Sequence, residues 1–353
     1  VCHSDDCTIH FHEYNKHILM CLLQPSSYNI PVVYTEWKFV LLRTLITMIY
    51  GYDLIDQMSQ SNIQRLIYEF NLVKPYVDLM LNDKTQTFGD LCQCNDTICG
   101  FERTQMFTCL KLITDQLKCD YVCITLSNRI IVSSPNWSKL KLNEQYVLQL
   151  LIAYNPEFKF IRDYAVYIES VDRTHNYRLI TVRLIGHLHV SLLCSNEPKL
   201  NVFENTIETI FRPHIEYIQN ISSLLYPRAI HDSVQFDHSI LALLYINRQT
   251  HYCVSTLHPI PTTVTKQDIV EQRFLNLKLF YMQMISRTSE TLIPHTEPLT
   301  TTVNEMYMIN DDHKCYYLKE NNYELFILYS NSIPNIALRG ISRKTLTLLK
   351  KHL

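Results

Sequence analysis

Three features predict an α+β protein built on antiparallel sheets. Strand-like runs come in adjacent pairs, each pair leads to a helix-period segment, and the arrangement recurs three times along 353 residues. That length predicts two or three domains rather than one core. Hydrophobic residues make up 47% of the chain, enough to fill such cores.

The elements follow in order. "TIHFHEYN" (8–15) and "HILMCLL" (17–23) read as a hairpin, followed by a helix over about 35–55. Ile63, Leu66, Ile67, Phe70 and Val77 recur at helical spacing, as do Met106, Leu110, Ile113 and Leu117, and predict the buried faces of two more helices. "YVCITL" and "RIIVSS" flank Ser127–Asn128 as a second hairpin, with a helix near 141–153. "YRLITVRLI" and "HLHVSLLC" form a third around Gly186, with a helix from about Leu200. "ILALLYIN" and "HYCVSTL" lead to a helix over 265–288, which Thr265 and Asp268 mark as its start. "KCYYLKE" and "YELFILY" flank Asn321–Asn322, residues suited to a tight turn, before a last helix at 341–352. Pro75 and Pro213 are expected to kink or break their helices. The second and third copies read as complete. The first shows only its closing half, so a domain incomplete at its N-terminus is expected.

Composition excludes several classes. The chain has five glycines, and none of the Gly-rich phosphate loops or the G-x-S-x-G elbow occurs. This argues against a P-loop NTPase, a kinase, a Rossmann dehydrogenase and an α/β-hydrolase. Net charge is −2, without a basic stripe, so no nucleic acid is expected as partner. The most apolar segment, 39–55, carries Arg43 and Asp53 and is short for a membrane span. Twelve cysteines without a C-x-x-C, most within apolar runs, read as buried thiols of a reducing, cytosolic protein.

Few residue groups promise chemistry. Cys92, Cys94 and Cys99 lie between Gly89 and Gly100. They supply three thiols without a second ligand pair, so an inter-domain linker is favoured over a metal site. Cys7, His10 and His12 share a strand pattern but lack a fourth ligand, and His187 and His189 read as sheet-surface residues. Asp5/Asp6 and Asp311/Asp312 read as solvated loop pairs. No nucleophile stands beside an identifiable base, so no catalytic residue, metal or cofactor is assigned. The helix over 35–55 offers a candidate GTPase- or partner-binding face. Leu41, Leu42, Leu45, Ile46 and Ile49 form its buried stripe, while Glu36, Arg43 and Thr47 fall on another side. Trp37 beside them reads as a core anchor or an interface residue, and a merely solvated face is the competing reading.

Several stretches then carry a resemblance. "GDLCQC" (89–94), "SSPNWSKL" (133–140), "RDYAVYI" (162–168), "YRLITVRLIGHLHVSLLCSNEPKL" (177–200) and "SILALLYIN" (239–247) resemble, in consistent order, the Fuzzy family of planar cell polarity effectors. The resemblance implies three longin domains, each an antiparallel sheet flanked by helices. They would lie at 1–88 (closing half only), 101–228 and 229–353, with 89–100 as linker. It also implies a heterodimer with the tri-longin protein Inturned. That pair would exchange guanine nucleotide on a Rab-type small GTPase and would associate with the WD-repeat protein Fritz. An anionic-lipid membrane surface is a further implied partner, and the ciliary base or polarised cortex the implied location. A non-catalytic scaffold of the ciliogenesis and planar polarity complex is the alternative, and a small metal-dependent enzyme using the cysteine cluster a weaker one.

Overall fold

The computed structural model describes residues 2–3, 7–15, 18–25, 32–52, 59–81, 87–100, 102–154, 159–223, 229–231, 233–257, 267–290 and 304–353. Asp5, Asp6 and Thr265 lie outside the described residues. The architecture is mixed α+β with three sheets. The chain divides into two compact units, residues 1–87 with 102–227 and residues 88–101 with 228–353.

The first unit opens with a three-stranded antiparallel sheet, β1 (Cys2–His3), β2 (Cys7–Asn15) and β3 (Ile18–Pro25). Helix α1 (Val32–Tyr50) follows and meets β2, where His12 stacks on Phe39 with ring centroids 5.2 Å apart. Gly51 closes α1 at φ +85, a conformation that favours glycine, and a Cβ there would meet the Tyr167 ring at 3.0 Å. Helix α2 (Gln60–Leu81) carries Pro75 inside it, so of the expected kink or break the proline does not produce the break. The donor it removes would have bonded the carbonyl of Asn71, an exposed residue whose carbonyl water can satisfy. Two long-range hydrogen bonds tie α2 to α1. Lys38 Nζ donates to the Met80 carbonyl at 2.7 Å, a cation at a helix C-terminus, and the Tyr50 hydroxyl donates to the Glu69 carbonyl at 2.7 Å.

The same unit holds a five-stranded antiparallel sheet of spatial order β6-β5-β9-β8-β7. Its strands are β5 (Tyr121–Leu126), β6 (Arg129–Ser133), β7 (Ile161–Ile168), β8 (Asp172–Arg183) and β9 (Leu188–Cys194). Between β6 and β7 come a short turn of helix, Pro135–Ser138, and a longer helix, Leu142–Ala153. Cys123, Leu179 and Leu193 on the sheet join Trp137, Val147 and Leu151 in a core that also takes in Leu41, Leu45 and Met48 of α1 and Val73, Tyr76 and Met80 of α2. The alternate strand residues Val122, Ile124, Ile180 and Leu192 are also buried and point to the opposite face. There the helix Glu102–Leu117 packs on β5, β6 and the helix Leu200–Phe211. Pro213 sits in the 3₁₀ turn Arg212–His214 that separates this last helix from Ile215–Ser223.

Two buried ionisable groups are absorbed by this packing. Arg162 on β7 donates to the carbonyls of Leu151, Ile152 and Tyr154, so its guanidinium caps the C-terminus of the helix Leu142–Ala153. At the other end Glu144 accepts from the Lys141 and Ser170 amides at 3.1 and 3.0 Å and from the Ser170 hydroxyl.

The second unit is a six-stranded sheet of order β12-β13-β14-β10-β11-β4. It comprises β4 (Asn95–Asp96), β10 (Ile240–Asn247), β11 (Tyr252–Leu257), β12 (Glu305–Ile309), β13 (His313–Glu320) and β14 (Tyr323–Ser330). The helix Gln267–Glu290 packs Phe280 and Tyr281 on Phe326. The helix Asn335–His352 packs Leu338, Leu346 and Leu349 with Tyr245, Ile327 and Tyr329. The segment 89–100, expected as a linker, is a built part of this sheet. Asn95 and Asp96 pair parallel to Tyr252 and Cys253, and Cys99 bridges Ile230. Arg248 clamps the segment: it chelates Glu324 at 3.1 and 2.9 Å and donates to the Cys92 carbonyl at 2.5 Å. The Tyr281 hydroxyl donates to the Leu91 carbonyl at 3.3 Å. Gly89 is required here, because a Cβ would come within 2.6 Å of the Cys94 carbonyl oxygen and 2.9 Å of the Asp96 nitrogen.

Two predictions follow from this packing. Arg248→Ala leaves Glu324 without its cation and the Cys92 carbonyl without its donor, and is expected to cost about 2–4 kcal/mol in the unfolding of the second unit. Denaturant melts and faster hydrogen exchange at 94–97 would register the loss, and an unchanged melt would contradict it. His189, read from the sequence as a surface residue, is instead 5% exposed on β9. Burial, with Arg162 and then His187 nearby, lowers its pKa from 6.5 to about 4. Between those values the unfolded chain takes up a proton that the folded chain refuses. Stability is therefore full above pH 6.5 and is expected to fall by on the order of 3 kcal/mol as pH drops to 4. His189→Gln should remove that part of the pH dependence.

Candidate partner-binding surface

The candidate surface is built on α1. Its buried side, Leu41, Leu45 and Met48, faces the core, with Leu42, Ile46 and Ile49 half-buried beside it. That side fixes what α1 presents outward. Val33, Glu36, Val40 and Arg43 are all exposed and recur at i, i+3, i+7 and i+10, one stripe of a helix. Glu36 and Arg43 therefore share a face, as the sequence predicts. Thr47 does not join them. It is 4% exposed, and its hydroxyl is shared between the carbonyls of Arg43 and Thr44, each at 3.0 Å. One turn before it, Thr44 is also buried and accepts from Asn143 Nδ2 of the helix Leu142–Ala153 at 2.6 Å. Trp37 is half-buried and edge-on to Tyr146, ring centroids 6.4 Å apart. Its indole N–H is buried without a hydrogen-bond acceptor.

Helix α2 adds surface that helical spacing assigned to the core. Ile67 is 72% exposed, and Tyr68, Phe70 and Leu72 are also exposed. The buried residues lie in its second half, at Val73, Tyr76 and Met80. Beside them Arg65–Glu69 and Lys74–Asp78 form i,i+4 ion pairs at 3.1 and 2.5 Å, so the charges around these apolar residues neutralise one another. On the first sheet, Phe11 pairs with Cys21 and Ile9 with Leu23 across the strands. Phe11, Cys21 and Leu23 are exposed on a common face. Such exposure makes this part of the fold a candidate protein-binding surface.

The other candidates resolve into structure. Cys92 and Cys94 are buried and Cys99 half-buried; desolvation pushes the Cys94 thiol up to about 12, which makes it a poor metal ligand or nucleophile at neutral pH. His10 is buried against the first sheet's packed side, while His187 and the Asp311/Asp312 pair are exposed. Among the described residues, no three His, Cys, Asp or Glu side chains converge to hold a metal ion, and no helix is long and apolar enough to cross a membrane.

Comparison with known proteins gives this surface its setting. Residues 239–353 match the third longin domain of FUZ, MON1 and HPS1. The matched stretch spans β10 to β14 and the two helices Gln267–Glu290 and Asn335–His352, and leaves out β4. Beyond that domain, the chain is similar to the protein fuzzy homolog of Xenopus tropicalis, 27% identical over 323 residues, covering 87% of this chain and 76% of the relative. The protein fuzzy homologs of Homo sapiens and Mus musculus are 25% and 24% identical over 326 residues, covering 86% and 87% of this chain and 76% of each relative. The resemblance to Fuzzy read from the sequence is thereby shown over most of the chain.

If the exposed part of α2 serves binding and not packing, Ile67→Lys with Leu72→Lys should leave the fold intact, within about 0.5 kcal/mol. Val73→Ala, at a fully buried position of the same helix, should cost about 2 kcal/mol. Thermal and denaturant melts of both variants check the contrast.

Proposed function

We propose that this chain is the Fuzzy-type subunit of a heterodimer with an Inturned-type tri-longin partner, and that the pair exchanges guanine nucleotide on a Rab-type small GTPase in support of planar polarity and ciliogenesis. Residues 1–88, 101–228 and 229–353 would each carry longin-type elements, with 89–100 passing between the first two in sequence. The observation that carries the reading is the similarity to Fuzzy proteins over most of the chain. The apolar surface on α1, α2 and the first sheet supports it, because an obligate partner needs such a face. Glu36 and Arg43, with Trp37 behind them, are the proposed contacts on α1. Fritz is the proposed further partner of the pair.

The physics of exchange is compatible with the absence of active-site chemistry in this sequence. An exchange factor acts by binding the nucleotide-free GTPase more tightly than the loaded one, and so displaces its switch segments and Mg²⁺. That work needs shape and contact area rather than a nucleophile or a phosphate loop.

The test is release of a fluorescent guanine nucleotide from a panel of Rab-type GTPases, with this chain, the Inturned-type partner, and the two co-expressed. Acceleration by the pair on one GTPase, and by neither subunit alone, is the expected result. Full activity of this chain alone would sink obligate pairing. Stable GTP-dependent binding without acceleration would make the protein a scaffold.

A further inference from the structure

The last helix, Asn335–His352, carries five Lys or Arg residues and no Asp or Glu. Its apolar side is used up inside the second unit, where Leu338, Leu346 and Leu349 are buried. Its outer side presents Arg339, Arg343, Lys344 and Lys351, all exposed, along about 18 Å of helix. Ile336, 92% exposed, stands at the start of this stripe. The stripe already shows which chemistry it accepts. Glu305 of β12 takes the Arg339 Nε at 2.9 Å and the Arg343 guanidinium at 2.7 Å on its two oxygens. Each guanidinium has five N–H donors, so both keep donors for another carboxylate. Lys344 and Lys351 lie seven residues apart, two turns along the same side.

We infer that this stripe docks an acidic segment of a protein partner, with carboxylates spaced to meet Arg343, Lys344 and Lys351 and one apolar side chain against Ile336. Charge complementarity argues for the occupant, and the buried apolar side argues for protein over lipid. A helix that lies in a bilayer surface needs its apolar face free to insert, and here that face is in the core.

The experiment is fluorescence anisotropy with the full chain and a fluorescein-labelled 20-residue helical peptide bearing Glu on one face and a single Leu. Vesicles containing phosphatidylserine form a second arm. Saturable binding at low salt is expected, weakened as salt rises and at least ten-fold weaker for Lys344→Glu/Lys351→Glu. Lys111→Glu/Lys139→Glu, a control on exposed lysines elsewhere, should bind like the parent. Circular dichroism melts would establish that both variants fold, since all four positions are exposed. Absence of peptide binding, equal loss in the control, or vesicle binding that Lys344→Glu/Lys351→Glu abolishes would each overturn the assignment.

Discussion

The burial of Leu41, Leu45 and Met48 is the constraint on which the first unit depends. These side chains set α1 against the five-stranded sheet and the helix that follows Trp137. A helix seated by one side has no freedom left in what the other side shows, so Val33, Glu36, Val40 and Arg43 must face outward. The seat also carries α2, because Lys38 of α1 holds its C-terminus and Tyr50 holds its middle. One apolar seam therefore positions two helices whose outer faces remain apolar and nearly neutral. That combination is what motivates the proposal of a protein-binding surface here.

The second unit is held by a different device. Its sheet would end at β11 with an unpaired edge, a liability in any sheet. Residues 89–100 cover that edge, and Arg248 secures them by joining Glu324 to the Cys92 carbonyl. The unit is thus assembled from two stretches of chain far apart in sequence. A fragment beginning at residue 239 would lack the β4 strand and the Gly89 turn that supports it.

Much of this was legible in the sequence, and what was not has identifiable causes. Hairpins were readable because alternation and turn residues are local: 121–133 and 313–330 form where Ser127–Asn128 and Asn321–Asn322 predict. Glu36 and Arg43 were readable as an exposed pair from helical phase alone. Thr47 was misread because helical phase alone does not show how far round α1 the buried side extends: Thr44 and Thr47 are both buried, and Thr44 bonds Asn143, about a hundred residues later. Ile67 and Phe70 were misread for the opposite reason: their spacing is that of a core stripe, and periodicity does not say whether the core belongs to this chain or to a partner. His189 is buried because both faces of the five-stranded sheet are covered, which the pattern of one strand does not reveal. The cysteine-rich stretch was not readable as a strand, since two residues of parallel pairing leave no periodic trace.

The proposed protein-binding surface is formed by the outward sides of α1 and α2. Hydrogen exchange of this chain, alone and bound to an Inturned-type partner with its GTPase, tests it most directly. Protection on binding is expected to be concentrated at 33–43 and 63–72. Complex formation that leaves both segments exchanging as in the free chain, with protection elsewhere, would contradict it.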